Sequence, residues 1–307
     1  MGAKRKQYMV ARGKLQSTKL TSVCAVDKLD EFWYILSMKA DLHIHSNCSD
    51  GIFTPEGIVD MAKARGLECI AITDHDTFDG VLRAKARADE IGLKYIVGAE
   101  LSAVDDREVH MLVYNVDVNS DEFRQTVTQI ADLRNQRNIA IVAKLREHSF
   151  EIDLDELKKN CVSVGRAVIA REMVKKGYCA SVAEVFDKYI GNEGSCFVQT
   201  KRLTPIEVVQ FALRFGGIAV IAHPKKLRMN QEEFEQFLQP LVKAGLGGIE
   251  ANYFTHTIAE RNYYGRIAKK YKLISTGGSD FHDYVHGIDL GVTSFSPNGY
   301  TRTILGI

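Results

Sequence analysis

The chain lacks paired cysteines, a charge excess, a long apolar run and any internal repeat, and each absence removes a class of protein. Cys24, Cys48, Cys69, Cys161, Cys179 and Cys196 form no CxxC pair. That argues against a disulfide framework and a thiolate zinc site, and leaves buried thiols in a reducing compartment as the expectation. Lys plus Arg number 40 against 39 Asp plus Glu, so no global field advertises double-stranded nucleic acid or a membrane surface. Any anionic substrate has to be held locally. No apolar run is long enough to span a bilayer. The first residues lack the continuous apolar core of a signal peptide, and Asp27, Asp30 and Glu31 interrupt the acid-poor pattern of a mitochondrial leader. The expectation is a cytoplasmic protein with no membrane partner. The sequence carries no signal of oligomeric state.

What is present reads as an ordinary globular composition, with 45% hydrophobic and 26% charged residues over 307 positions. That length suits one large α/β domain, or one such domain carrying an insertion. Residues 1–37 show no sustained period and predict a poorly ordered extension, with Met38 as the natural start. From Met38 a strand–loop–helix pattern repeats. Ala40–Ile44, Cys69–Thr73, Lys94–Glu100 and Val109–Tyr114 read as strands. Thr54 and Pro55 open a helix that Gly66 closes, and a second helix runs from about Gly80 to Ile91 before Gly92. Between residues 119 and 200 the strand signal vanishes, and helices are expected near Glu122–His148, Leu154–Asn160, Arg166–Lys176 and Val182–Ile190. The alternation resumes with Ile218–Ala222, Gly248–Ala251 and Leu273–Thr276. Strands alternating with helices imply a largely parallel, barrel-like α/β domain over 38–118 and 201–307, interrupted by a helical insertion over 119–200.

Six of the nine histidines fall in five short segments of this pattern. They are Asp41-Leu42-His43-Ile44-His45 with Asp50, Thr73-Asp74-His75-Asp76-Thr77, Glu100 with His110, Ala222-His223-Pro224, and Gly278-Ser279-Asp280-Phe281-His282. Imidazole nitrogens and carboxylate oxygens together are the ligand set of Zn, Mn and Fe sites. Functional side chains of parallel α/β barrels gather at the carboxyl ends of strands, where most of these residues lie. A lone histidine in an apolar strand is usually a hydrogen-bonded core residue, and Asp50-Gly51 or Ser279-Asp280 alone would serve as a turn or a cap. Together the segments read otherwise. Six imidazoles and three carboxylates gathered without metal would carry heavy desolvation and repulsion costs. Arg134 and Arg137, three apart on one expected helix, and Arg166 on another are candidates for holding phosphate. Lys201, Arg202, Lys225 and Lys226 are further basic spots with no assigned role.

As a set these motifs resemble the polymerase and histidinol phosphatase (PHP) family of metal-dependent phosphoesterases, from Met38 nearly to the C-terminus. The resemblance implies a distorted (β/α)7 TIM-like barrel with an α-helical insertion subdomain and three divalent metal ions, Mn, Zn or Fe. It implies that His43, His45, Glu100 and Asp280 hold one ion. Glu100 bridges to a second with His110 and His223, while Asp50, His75 and His282 hold the third. His43, His45, Glu100 and Asp280 then act as metal holders, and the expected nucleophile is a metal-bound hydroxide. Asp74, Asp76 and the ligand histidines are all open as the acid for the leaving group. The helical insertion is similar to that of a subgroup acting on 3′,5′-bisphosphorylated nucleosides or on short RNA from its 5′ end. Where that subgroup has Gly-Arg-Pro-His-Ile-Ala near the substrate phosphate, this chain reads Gly165-Arg166-Ala167-Val168-Ile169-Ala170. It keeps the arginine without the proline and histidine, so a shift in substrate is expected there. The alternatives are histidinol-phosphate phosphatase and a non-catalytic metal-binding PHP module.

Overall fold

The computed structural model describes residues 38–159, 161–199, 201–284 and 288–307. The expectation for residues 1–37 lies outside them. The first two strand–helix units form as their sequences dictate. β1 (Ala40–Ile44) is buried along its whole length. The Thr54 hydroxyl accepts from Gly57 N and Pro55 opens α1 (Pro55–Ala64), after which Gly66 turns the chain with φ 72°. β2 (Cys69–Ile72) pairs parallel to β1. α2 (Val81–Ile91) ends at Gly92, whose φ of 65° no side chain opposes. β3 (Lys94–Tyr95) completes a three-stranded parallel sheet.

A second sheet has the order β4-β5-β6-β7-β8. Its strands are β4 (Gly98–Val104), β5 (Glu108–Tyr114), β6 (Ile218–Ile221), β7 (Gly248–Tyr253) and β8 (Ile274–Gly278). β5 runs antiparallel to both β4 and β6, whereas β6-β7 and β7-β8 are parallel. Among the described residues four of the six ladders are parallel, as expected, but they lie in two separate sheets, so the TIM-like barrel that the resemblance implied is not closed. The stretch Lys94–Glu100, read above as one strand, divides at Ile96 and Val97 because its halves belong to different sheets. Glu100 accordingly sits inside a strand and does not end one. Between the two sheets lie isolated bridges, His75 to Glu100 on one side and Ile44 to Phe281 on the other.

The helices cover these sheets in the usual amphipathic manner. α7 (Pro205–Arg214) starts at a capping box of Thr204 and Glu207. It buries Val208, Val209, Phe211 and Ala212 in a cluster with Met111, Val113, Ala219 and Ile221. α8 (Gln231–Ala244) and α9 (Ile258–Lys270) add Phe234, Leu238 and Tyr264 to the same core. The helices between residues 119 and 200 bury one another instead. α3 (Asp121–Glu147), capped by Ser120, supplies Ile141, Val142 and Leu145 to a cluster with Ile169 and Met173 of α5 (Arg166–Lys175). α4 (Leu154–Lys158) caps on Asp153. The helix expected over Val182–Ile190 is α only in α6 (Val182–Val185), and Phe186–Ile190 widens to a π-turn. Gly191 closes that turn by donating to Phe186 O at 2.9 Å, an approach that a Cβ would obstruct. α10 (Gly299–Leu305) ends the fold. Among the described residues no helix is long and apolar enough to cross a membrane.

The join between β1 and β8 has no slack. A Cβ on Gly278 would lie 2.3 Å from His43 Cβ and 2.5 Å from its backbone nitrogen. Gly278→Ala is expected to destabilise the protein by about 2 kcal/mol or more through forced overpacking. Urea denaturation with and without Mn²⁺ measures it, with the larger loss expected in the metal-bound protein because the clash displaces His43.

Candidate metal centre

β1 carries His43 inside the strand and places His45 just beyond it, on the same side of an extended segment. Both imidazoles are fully buried. β4 brings Glu100 beneath them, also fully buried. Its Oε1 lies 3.0 Å from His110 Nδ1, contributed by β5, and 2.9 Å from His223 Nε2, just past β6. Its Oε2 faces His43 Nε2 and His45 Nε2, each at 3.3 Å, and His75 Nδ1 at 3.1 Å. From the segment after β8, Asp280 Oδ1 reaches His45 Nε2 at 3.1 Å and His43 Nε2 at 3.5 Å. Asp50 Oδ1 lies 3.1 Å from His282 Nε2, and Asp50 Oδ2 lies 3.8 Å from His75 Nε2. All nine residues singled out from the sequence come together.

They form three overlapping groups in which one ligand atom per residue lies within 4.8 Å of the others. His43, His45, Glu100 and Asp280 form the first, as the resemblance implied. His45 joins Asp50, His75 and His282 in the second. The third holds His75, Glu100 and His110, with His75 where His223 was expected, although His223 stays beside Glu100. These residues fit divalent cations on their own evidence. His43 Nε2, both ring nitrogens of His45, His75 Nδ1 and Glu100 Oε2 are buried with no hydrogen-bond partner. Leaving that many polar atoms unsatisfied in one place is costly, and a cation satisfies them jointly.

The electrostatics agree. Burial alone would neutralise Glu100, Asp50 and Asp280, yet surrounding imidazoles, joined at Asp280 by Lys226, hold all three well below the usual carboxylate range. Burial pushes the imidazoles down, and their neighbours decide the outcome. Asp280 and Glu100 raise His45 to about 9, and Glu100 with Glu108 raises His110 to about 9. At His75 burial wins and the value falls to about 3; at His223 burial and the Lys226 charge lower it to about 4. Protons on His45 and His110 therefore stand in for cationic charge in the metal-free protein.

A surrounding layer of carboxylates aims the ligands, and sequence reading missed most of it. Glu250 of β7, fully buried, lies 3.0 Å from His43 Nδ1 and accepts from His223 N at 2.6 Å. Such a partner fixes which ring nitrogen faces the metal. Its one sequence signal was an acid alone in an apolar strand. Asp41 accepts from Ser279 N at 2.9 Å and Gly291 N at 2.7 Å, tying β1 to the Asp280 segment. Asp74 accepts from Ser46 N and from the Ser46 and Ser49 hydroxyls, which commits it to holding the first loop. Asp76 accepts from Ser102 N and pairs with Arg134. Three of these residues carry left-handed backbone without being glycine: Asp76 at φ 51°, His223 at 26° and Asp280 at 54°. Strain of this kind persists where the surroundings over-determine it, as at functional sites.

Two cavities open from the ligands. A small one of about 150 Å³ is lined by Asp50, His75 and His110 together with Arg134, Arg137 and Arg166, the three arginines singled out above. Arg134 is committed to Asp76 and donates to Val164 O at 3.0 Å. Arg166 pairs with Glu108 at 2.5 Å and lies over the Phe186 ring. Arg137 is buried, its Nε has no hydrogen-bond partner, and it forms no ion pair among the described residues. A larger open cleft of about 920 Å³ runs past His110 and His223 and is walled by Arg107, Arg166, Phe186, Lys226 and Arg228. Glu108, bracketed by Arg166 and by Arg202 at 2.6 Å, borders both.

A mixed α/β scaffold that gathers imidazoles and carboxylates below a basic cleft defines a metal-dependent hydrolase acting on anions. The PHP domain profile matches residues 41–193. A phosphoribosyl 1,2-cyclic phosphate 1,2-diphosphodiesterase of Eggerthella lenta is 30% identical over 80% of this chain and 94% of its own. A 5′-3′ exoribonuclease of Haemophilus influenzae is 32% identical over 83% and 94%. A 3′,5′-nucleoside bisphosphate phosphatase of Chromobacterium violaceum is 29% identical over 79% and 86%. Among solved structures, a Bifidobacterium adolescentis protein described as a metal-dependent phosphoesterase superposes with a TM-score of 0.76 at 29% identity, covering 87% of this chain and 95% of that one. The chain belongs to the PHP family, and it is a metal-dependent phosphoesterase.

Ligation requires neutral imidazole, so cations and protons compete at His45 and His110. Metal uptake at pH 7 is expected to release protons, with apparent affinity rising with pH until about 9. The stability of the metal-free protein should move the other way. Its contribution from these two raised imidazoles is complete below their ordinary value of 6.5 and is lost as pH rises through about 9. Calorimetric Mn²⁺ titrations in buffers of different ionisation enthalpy, with melts of the metal-free protein across the same range, check both slopes.

Proposed function

We propose that this phosphoesterase hydrolyses a phosphomonoester or phosphodiester of a small nucleotide, such as a 3′,5′-bisphosphorylated nucleoside, or of a short RNA. The observation that carries the reading is Arg137, a buried guanidinium without an ion pair among the described residues, in a cavity of about 150 Å³ that also meets His75, His110 and Asp50. A buried cation with no counter-ion among the described residues calls for an anion, and a phosphate offers two oxygens that the planar guanidinium fork grips together. The named activities of the three relatives, on nucleotide, RNA and cyclic sugar phosphate, support a phosphorylated ribose as the shared element.

In this reading His43, His45, Glu100 and Asp280 hold one divalent ion. Glu100 shares a second with His110 and His223, and His75, Asp50 and His282 serve a third. Bound there, such ions lower the pKa of water and neutralise charge on a phosphoryl group. The chain's own residues do the rest. Glu250 fixes the tautomer of His43, and Asp41 holds the β1 and Asp280 segments in register. Arg137 and Arg166 orient the phosphate from the helical side, which makes the 119–200 segment the substrate-holding part. Asp74 is spent on Ser46 and Ser49 and is withdrawn as a proton donor.

The Mn²⁺-loaded protein, offered adenosine 3′,5′-bisphosphate, short RNA, a 1,2-cyclic ribose phosphate and histidinol phosphate, is expected to release phosphate or nucleotide from the nucleotide substrates. Arg137→Met should raise KM about tenfold or more with a smaller change in kcat, as for a lost charge-assisted contact. Turnover of histidinol phosphate alone, or an unchanged KM in Arg137→Met, would sink the reading.

A further inference from the structure

Lys225 and Lys226 are neighbours in sequence with opposite fates in the fold. Both lie in the 3₁₀ turn Pro224–Leu227, between His223 at φ 26° and Arg228 at φ 54°. Left-handed backbone at two non-glycine residues fixes the aim of this turn. Lys225 points away, to Glu260 Oε1 and Thr255 O. Lys226 points inward. Its ammonium donates to Asp280 Oδ2 at 3.0 Å and sits 5.1 Å from the centre of the Tyr253 ring. Tyr253 OH donates to the same Asp280 oxygen at 2.8 Å, while Asp280 Oδ1 faces His43 and His45.

We propose that Lys226 is a further catalytic residue, one that donates directly to a phosphoryl oxygen of the substrate. The inference rests on the phosphoesterase reading above. An ammonium has three N–H donors, and Asp280 takes one of them. The side chain is 52% exposed, and it lines the same cleft wall as His110 and His223. Donors are therefore left on the side from which an anion enters. Once Asp280 serves as a ligand, its own charge is committed, and the ammonium beside it is a fixed positive point facing the cleft. A compact point charge of this kind suits a phosphoryl oxygen. Arg137 lines the small cavity and Lys226 the larger cleft, and both cavities reach His110.

The competing role is charge balance, in which Lys226 only neutralises Asp280. The two roles separate when inorganic phosphate is titrated into wild type, Lys226→Met, Lys226→Arg and Lys225→Met, each at Mn²⁺ concentrations that saturate that variant. Calorimetry reads phosphate binding, and Mn²⁺ affinity is read separately. Lys226→Met is expected to weaken phosphate about tenfold or more, the scale of a lost charge-assisted hydrogen bond. Lys226→Arg should recover part of it, and Lys225→Met should match wild type. If Lys226→Met changes phosphate affinity by less than about threefold, whatever happens to Mn²⁺ affinity, the inference is overturned. Lys226→Arg keeps the charge beside Asp280, so a folding defect in the methionine variant leaves the comparison with wild type intact, and an arginine variant with no recovery also overturns it. Phosphate binding does not require turnover. A protein that binds phosphate through Lys226 yet hydrolyses no nucleotide would refute the substrate assignment alone.

Discussion

The Glu100 carboxylate faces five imidazoles from within a strand, and the remainder of the site depends on that contact. Its two oxygens lie 2.9 to 3.3 Å from His43, His45, His75, His110 and His223, with no water-exposed surface. Burying a carboxylate is expensive unless surrounding charge returns the energy. Here the surrounding groups are bases that would themselves prefer to be neutral when buried. Protons can balance such a cluster, as the raised values of His45 and His110 show, but only by using up the lone pairs that a metal needs. The site is thus poised between protons and cations.

That poise explains the construction around it. A ligand displaced by an ångström loses its metal, so the fold fixes the backbone at several points in unfavourable conformations. Asp76, His223 and Asp280 all have positive φ. Asp41, Asp74 and Glu250 then hold the loops that carry the ligands, each through two or more hydrogen bonds. Gly278 allows β8 to lie against His43 at a separation that no side chain permits. The antiparallel β4-β5 pair serves the same end, since its register (Glu100 opposite Leu112, Ser102 opposite His110) sets Glu100 and His110 diagonally across neighbouring strands within hydrogen-bond distance.

Much of this is legible in the sequence. The nine ligand candidates, the caps at Thr54 and Gly92, and the helical character of the 119–200 segment follow from local chemistry, which sequence carries directly. The sheet arrangement was not legible. Lys94–Glu100 has the apolar content of one strand, and nothing local says that its two ends join different sheets. Val182–Ile190 likewise has helical composition, and only the approach of Gly191 reveals the wider turn. Glu250 and Lys226 went unassigned because their roles are defined by partners far away in the chain. A lysine beside another lysine carries no mark of which one faces the site.

The central claim is that Glu100 joins several ligand groups into one polynuclear centre. Counting Mn²⁺ bound per chain in wild type and in Glu100→Gln, by equilibrium dialysis with elemental analysis, tests it most directly. The account predicts more than one ion per wild-type chain and the loss of at least one in the variant, with the fold retained by circular dichroism. An equal number of ions bound with equal affinity in both proteins would contradict it.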